Sequence, residues 1–541
     1  MIKDFFADVV FKNAKAITVN KNDDIAEAVA VSGNKIVYVG TNEGSADYIG
    51  KDTKVIDVNG RTLMPGFIDA HIHFCLYGLL DHGVINIDYS KAKSISDIKE
   101  LIRQDAKTKK KGEWIKLSGY DHNKLADKRH PTTADLDEAA PDNPVQCTRC
   151  CAHMGVYNSL ALKIGGVDSP AKFAPGEVVV DENGNLTGLL KETAHMYMST
   201  KVEFSDEEIL GGLKNCDSIM IENGITSVHD AGAYGALTTR LYQKACQENI
   251  INVRLRPMIF DMFGKDSNKK YIESFLETGV YTGAGNEKYR IGPVKIMTDG
   301  SSSGPSSATL EPYCHDPNLK GILVWNQEEA DDIVMKAHKA GYQMTAHAVG
   351  DMAVTLMVNA YEKALKAYPR KDHRHRIEHC GITNPDLIRR IKELGIIPIS
   401  NPAFITINGS DYNRFYGNRV DYMFALKSYL DEGIITAIGS DAPVTHPNPM
   451  YSLYGALNRA DYKTKDVVGE MQKVGILDII RMFTYNCAYS SFEEDIKGSL
   501  EEGKLADMII LSENILDYPT ENIFDIKTDL TMIDGKIVYT R

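Results

Sequence analysis

Apolar residues fall along this chain in short runs, and the polar spacing around them changes character near both ends. Up to Leu63 the pattern alternates as half-buried strands do. Residues 7–19 carry one strand-like stretch, and residues 26–40 read as a hairpin turning at Ser32-Gly33-Asn34. Residues 54–63 read as a second hairpin pivoting at Asn59-Gly60, a pair suited to a tight turn. The C-terminus has the same texture, with a strand at 504–511 and a hairpin over 530–539 at Asp534-Gly535. Two β-rich ends around an α/β middle predict one small β-sandwich built from both termini. Its expected bounds are 1–64 and 495–541, with 65–494 as the catalytic domain.

Between the ends, eight apolar β-like runs alternate with helical patterns: 67–73, 225–230, 253–260, 294–299, 343–348, 374–379, 396–401 and 435–441. Amphipathic helices fit at 205–222, 328–340 and 351–367. Eight strands with helical crossovers predict an α/β fold, a (β/α)8 or TIM barrel, with its chemistry at the C-terminal strand ends. A long insertion follows the first run, at about 80–204, with strands at 114–118, 145–151 and 177–180 and helices at 95–107 and 194–201. An insertion there is expected to lie over the barrel mouth and to shape the substrate pocket.

Candidate chemistry sits at those strand ends. His71 and His73 are two apart in a strand, so both imidazoles point to one side, which is half of a metal site. Ala346-His347-Ala348, Ile377-Glu378-His379 and Gly439-Ser440-Asp441 close three more runs, and together the four segments predict a catalytic metal centre. Lys295 lies between Val294 and Ile296 in the fourth run, where a bare ammonium is costly unless neutralised or paired. Glu378 alternates with His379 and is expected to point away from it, tying strand to helix.

The order of these motifs resembles the amidohydrolase superfamily, and within it the amidohydrolase-3 (YtcJ-like) branch. The resemblance runs nearly end to end, through Pro65-Gly66-Phe67-Ile68-Asp69-Ala70-His71-Ile72-His73, Gly224 to Asp230, Val294 to Ser301, Ala346 to Asp351, Arg376-Ile377-Glu378-His379, Gly439-Ser440-Asp441 and Gly503 to Asp507. It implies that His71, His73, His347, His379 and Asp441 ligate one or two divalent metals, most often zinc. It also implies that Asp441 handles the proton of the attacking water, and that Lys295 is carboxylated and bridges two metals. An unmodified Lys295, binding substrate or paired with Asp299, is the alternative reading. The implied activity is hydrolysis of a non-peptide carbon–nitrogen bond in an N-acyl, N-formyl or cyclic amide. A deaminase, an esterase or lactonase, and a non-catalytic regulator of the same fold stand as alternatives. No His-x-x-Glu follows His347, which counts against the deaminase.

Further polar residues are candidates for the substrate: Asp121 and His122 in the insertion, His153, the pair His229-Asp230, and Asp351, which also reads as a helix-start aspartate. The stretch 301–309, rich in serine and glycine, reads as a flexible lid. Cys147-Thr148-Arg149-Cys150-Cys151-Ala152-His153 imitates a zinc knuckle but lacks a second ligand pair, so a buried or cleft-lining strand is expected.

Composition narrows the partners to a small-molecule substrate. A net charge of −13 argues against a nucleic-acid surface, and no run is long and apolar enough for a membrane span. The acidic N-terminus does not read as a signal peptide, so the nine cysteines read as reduced cytoplasmic thiols. A homodimer is compatible with a chain of 541 residues.

Overall fold

Each of the eight apolar runs contains a parallel strand in the computed structural model, which describes residues 6–150, 154–232 and 234–541. These are β1 (Phe67–Ile72), β2 (Ile225–Asp230), β3 (Arg254–Leu255), β4 (Val294–Met297), β5 (Met344–Ala348), β6 (Arg376–His379), β7 (Ile397–Ser400) and β8 (Ala437–Ile438). β1 to β3 form one sheet and β4 to β8 another, each in sequence order. Hydrogen bonds cross both seams. Ile259 N–H donates to Pro293 O and Lys295 N–H to Ile259 O, at 2.9 and 3.0 Å. Asp441 N–H donates to His71 O and His73 N–H to Ala442 O, at 2.7 and 2.9 Å. Every residue of β1, β2, β6 and β7 is buried, so these strands do not alternate between buried and exposed positions.

The connecting helices follow local rules. In Pro385–Leu394, Asn384 accepts a hydrogen bond from Leu387 N–H, Pro385 opens the first turn, and Gly395 closes the helix in the left-handed conformation. Leu387, Ile388 and Ile391 form its buried stripe. Among the described residues, no helix is long and apolar enough to cross a membrane.

The chain divides into two compact units, residues 1–76 with 216–541, and residues 77–215. In the first, terminal strands share sheets. Met508–Leu511 pairs antiparallel with Thr62–Pro65, so one six-stranded sheet takes three strands from each end of the chain. A four-stranded sheet of Val9–Lys12, Ala28–Ser32, Lys35–Gly40 and Lys54–Asp57 joins it across one apolar cluster that includes Phe11, Val31, Leu63, Met508 and Met532.

Two local elements differ from the sequence pattern. Residues 7–19 form two strands, Val9–Lys12 and Lys15–Ile17, in different sheets, because Asn13 adopts a φ of 56° and turns the chain between them. Asn59-Gly60 does turn, but Lys54–Asp57 pairs with Val9–Lys12 while Thr62–Pro65 pairs with Lys15–Ile17. The turn therefore carries the chain from one sheet to the other and closes no hairpin. Asp534-Gly535, by contrast, joins two strands in register at Ile533 and Lys536, with φ positive at both turn residues.

The second unit holds a six-stranded sheet packed on helices Ile95–Ala106 and Thr133–Ala139. Cys147 is in its core and Cys150 is exposed; Cys151 and His153 lie outside the described residues.

A buried histidine cluster sits beside the starts of β5 and β6. Met344 N–H donates to His375 Nδ1 at 3.0 Å, so His375 donates through Nε2 to His338 Nδ1 at 2.9 Å. His338 then donates to Tyr368 O at 2.7 Å, and His373 Nε2 donates to Leu394 O at 2.8 Å while its Nδ1 accepts from His375 N–H. All three rings are thereby held neutral, and burial pulls each pKa below its ordinary value. Groups with depressed folded pKa values bind protons first in the unfolded chain. Stability is thus full above about pH 6.5 and falls as pH drops below it, by up to about 1.4 kcal/mol per pH unit for each histidine. Urea midpoints at pH 7.5 and pH 5.5 measure this; equal midpoints would contradict it.

Candidate metal centre

Ligand atoms of His71, His379 and Asp441 all lie within 4.8 Å of one another, at the C-terminal ends of β1, β6 and β8. His71 Nε2 is 3.2 Å from Asp441 Oδ1, and His73 Nε2 is 3.3 Å from the same oxygen. The His71 and His379 rings are 4.8 Å apart, and those of His379 and His347 4.5 Å. The backbone is strained where two of these groups enter: His379 and Asp441 have φ of 68° and 60°, a conformation that costs about 1–3 kcal/mol each. These turns aim the side chains into the centre from strand ends whose alternation would otherwise send them elsewhere. Gly439 allows the close approach, since a Cβ there would sit 2.5 Å from His71 Cβ.

Neighbouring residues set the imidazole tautomers. His71 Nδ1 donates to Glu378 Oε2 at 2.5 Å, so in the neutral ring Nε2 is the nitrogen with the lone pair. That buried Nε2 has no hydrogen-bond partner. His379 Nδ1 donates to Asn401 Oδ1 at 2.8 Å, and Asn401 Nδ2 donates to Gly439 O at 2.8 Å, so His379 also presents Nε2 as a lone pair. Asp441 is kept well below the usual carboxylate range: burial opposes ionisation, but the contacts with His71 and His73 outweigh it. His379 is held well below its ordinary pKa by burial and by His347. Burial and Lys295 oppose protonation of His71, but Asp441 and Glu378 outweigh them and raise its pKa; two imidazole nitrogens and an ionised carboxylate thus face one another in a pocket that attracts positive charge. Such a donor set fits a divalent cation.

Glu378 corrects the expectation that it points away from the centre. Arg376 and Glu378 are two apart on β6 and share its inner face, while the turn at His379 brings the histidine round to the same centre. Arg376 Nε donates to Glu378 Oε1 at 2.9 Å, Thr345 Oγ1 donates to the same oxygen at 2.5 Å, and Arg376 Nη2 donates to Ala70 O at 2.7 Å. Burial opposes ionisation of Glu378, yet Arg376 and His71 hold its pKa far below the ordinary value. A charged pair two residues apart inside an apolar strand was the sequence signal for this role. Asn401 had a weaker one, as the polar end of the seventh run.

His347 donates through Nε2 to Gly300 O at 3.1 Å and lies 3.3 Å from Asp299 Oδ1. Asp299 accepts from the backbone N–H groups of Ala308, Val349 and Gly350, so it is not Lys295's partner. Lys295 is buried with Nζ 5.1 Å from the Phe260 ring centre, and burial lowers its pKa. Asp230 accepts from Phe74 N–H and the Tyr242 hydroxyl, and Asp351 accepts from Leu310 N–H. His229 Nδ1 accepts from Arg376 Nη1 at 3.1 Å. In the second unit, Arg149 bonds both Asp121 and His122, and His122 stacks on His130 at 3.9 Å.

Residues 301–309, read as a flexible lid, are instead pinned. Ala308 N–H is held by Asp299, Tyr416 donates to Ser302 O at 2.8 Å, and Ser302 Oγ bonds the Tyr412 hydroxyl at 2.9 Å. Ser301 and Ser302 join His73, His347, His379 and Asp441 around a cavity of about 180 Å³. Its remaining walls are apolar: Met297, Val349, Phe404, Phe424 and Val444.

The profile described as "Amidohydrolase family" matches residues 54–539, and the chain belongs to that family. It is 27% identical to "Putative amidohydrolase YtcJ" of Bacillus subtilis (strain 168), over 97% of this chain and 98% of the relative. It is 26% identical to "N-substituted formamide deformylase" of Arthrobacter pascens, over 99% and 98%. An uncharacterized metal-dependent hydrolase from Pyrococcus horikoshii shares the fold, with a TM-score of 0.77 at 23% identity, over 95% of this chain and 99% of that one.

Proposed function

We propose that this chain is a metal-dependent hydrolase of a non-peptide carbon–nitrogen bond, in an N-formyl, N-acyl or cyclic amide. The observation that carries the reading is the convergence of His71, His379 and Asp441 within 4.8 Å, beside an apolar-walled cavity. The name of the Arthrobacter relative, a deformylase of N-substituted formamides, favours the N-formyl class. In this reading the eight strands close as a (β/α)8 barrel, and residues 1–64 and 495–541 form one β-sandwich domain.

His71, His73, His347, His379 and Asp441 would hold one or two cations, zinc by their nitrogen-rich chemistry. The cation would supply Lewis acidity, acidifying water and polarising the scissile carbonyl. Asp441 accepts the proton of the attacking water and passes it to the departing nitrogen, a task its ionised, buried carboxylate suits. His71 and His379 keep fixed tautomers throughout because Glu378 and Asn401 hold their other nitrogens. The walls of Met297, Phe404 and Phe424 exclude water around the amide substituent.

Metal analysis with a hydrolysis screen of N-formyl amines, N-acyl amino acids, cyclic amides, esters and lactones tests the reading. Amide turnover that follows metal content is expected; turnover of esters alone, or none with full metal, rejects it.

Lys295 extends the same proposal. Burial favours its neutral amine, the form that takes up carbon dioxide as a carbamate and releases a proton. Among the described residues its Nζ has no carboxylate partner within salt-bridge distance. Lys295→Ala is expected to lose metal and at least about 10²-fold in kcat/KM, with partial recovery in added short carboxylic acids. A variant that keeps its metal and changes only KM would instead mark Lys295 as a substrate-binding ammonium.

A further inference from the structure

A second cavity lies among β2, β5 and β6 and is walled by His229, Arg256, Arg290, Gln343 and Arg376. Its volume is about 10 Å³, room for roughly one water-sized atom. His229 is fully buried, and Arg376 Nη1 donates to its Nδ1 at 3.1 Å. The ring proton therefore sits on Nε2, and that Nε2–H has no acceptor. The buried Nε–H of Arg290 also has none, and lies 3.8 Å from Glu493 Oε1. Both residues line this one-atom cavity, and neither of these donors has an acceptor. Buried donors in folded proteins nearly always have a partner.

Charge says what that partner is. Arg256 and Lys497 share Glu493, and Arg376 is paired with Glu378. Counting Arg290, four cations answer to two carboxylates, an excess of two positive charges in a mostly buried region. A water could accept both hydrogen bonds, but it would leave that excess in place. An anion satisfies the donors and offsets the charge together.

We infer that this cavity is a binding site for a single small monoanion of halide size, held by His229 Nε2–H and Arg290 Nε–H. The site stands at one end of a bonded series that runs from His229 through Arg376 and Glu378 to His71 Nδ1. An ion there fixes the far side of the group that sets the His71 tautomer, and so steadies a metal ligand from outside its coordination sphere.

Crystals of the wild-type protein in bromide, measured at the bromine absorption edge, give the direct test. One anomalous peak is expected within hydrogen-bond reach of both donors; density that scatters as water there would overturn the proposal. In solution, the melting temperature should rise by about 1–2 °C in sodium bromide over sodium gluconate at equal ionic strength. Arg290→Leu, at a partly exposed position, should lose that bromide-specific rise while staying folded, and His229→Phe should lose it too if it folds. A peak seen only in bromide-soaked crystals, with no bromide-specific shift in solution, means an adventitious ion only and also overturns the proposal.

Discussion

Asp441→Asn is expected to lower kcat/KM on the chain's best amide substrate by about 10³-fold, within the range for loss of a general acid–base group. The substitution keeps the shape of the side chain, so packing around the turn at residue 441 survives. It removes the negative charge that faces His71 Nε2 and His73 Nε2 at 3.2 and 3.3 Å. It also removes the proton acceptor, because an amide oxygen cannot take a proton from water at neutral pH. Metal content separates the two losses. A variant that retains metal but not turnover assigns Asp441 chiefly to proton transfer, and one that loses both assigns it chiefly to ligation. Activity within a few-fold of wild type would remove Asp441 from the mechanism.

Glu378→Gln carries the largest expected effect on stability. Glu378 is fully buried and accepts from Arg376, Thr345 and His71. A glutamine turns one acceptor into a donor that must face either the Arg376 guanidinium or His71 Nδ1–H. It also leaves a buried guanidinium without a counter-charge, which costs about 3–5 kcal/mol in such pairs. Chemical denaturation should show a loss of that size, and metal affinity should fall about 10- to 100-fold as His71 loses its fixed tautomer. Glu378→Asp, which keeps the charge, should recover part of both. A loss of stability below about 1 kcal/mol with unchanged metal affinity would make the contact incidental.

The effects differ in kind because the residues act at different distances from the centre. Asp441 lines the cavity, whereas Glu378 acts on the centre through its bond to His71. A test restricted to turnover would score both as essential and miss that difference.

Much of this protein was legible in its residue order. The eight strand positions followed from apolar runs bounded by turn residues, because strands buried on both faces tolerate few polar side chains. His71, His379 and Asp441 could be proposed for one centre because they close such runs, and parallel strands of one layered fold bring their C-terminal ends together. The membership of Thr62–Pro65 and Met508–Leu511 in one sheet was foreshadowed by their shared texture, though not their pairing or register. What needed the tertiary structure was direction. Strand alternation sends Glu378 away from His379, but the positive φ at His379 breaks that alternation, and no sequence pattern announces a strained residue. The Asn59-Gly60 turn was readable as a turn, while the sheet its outgoing strand joins depends on partners distant in sequence. The serine-rich stretch after β4 looked mobile because its composition is that of a linker, yet Asp299, Tyr412 and Tyr416 hold it from elsewhere in the chain. Local sequence therefore determined which residues form strands, turns and candidate ligands. Long-range packing decided where their side chains point, because a hydrogen bond or an ion pair needs a partner that only the fold brings near.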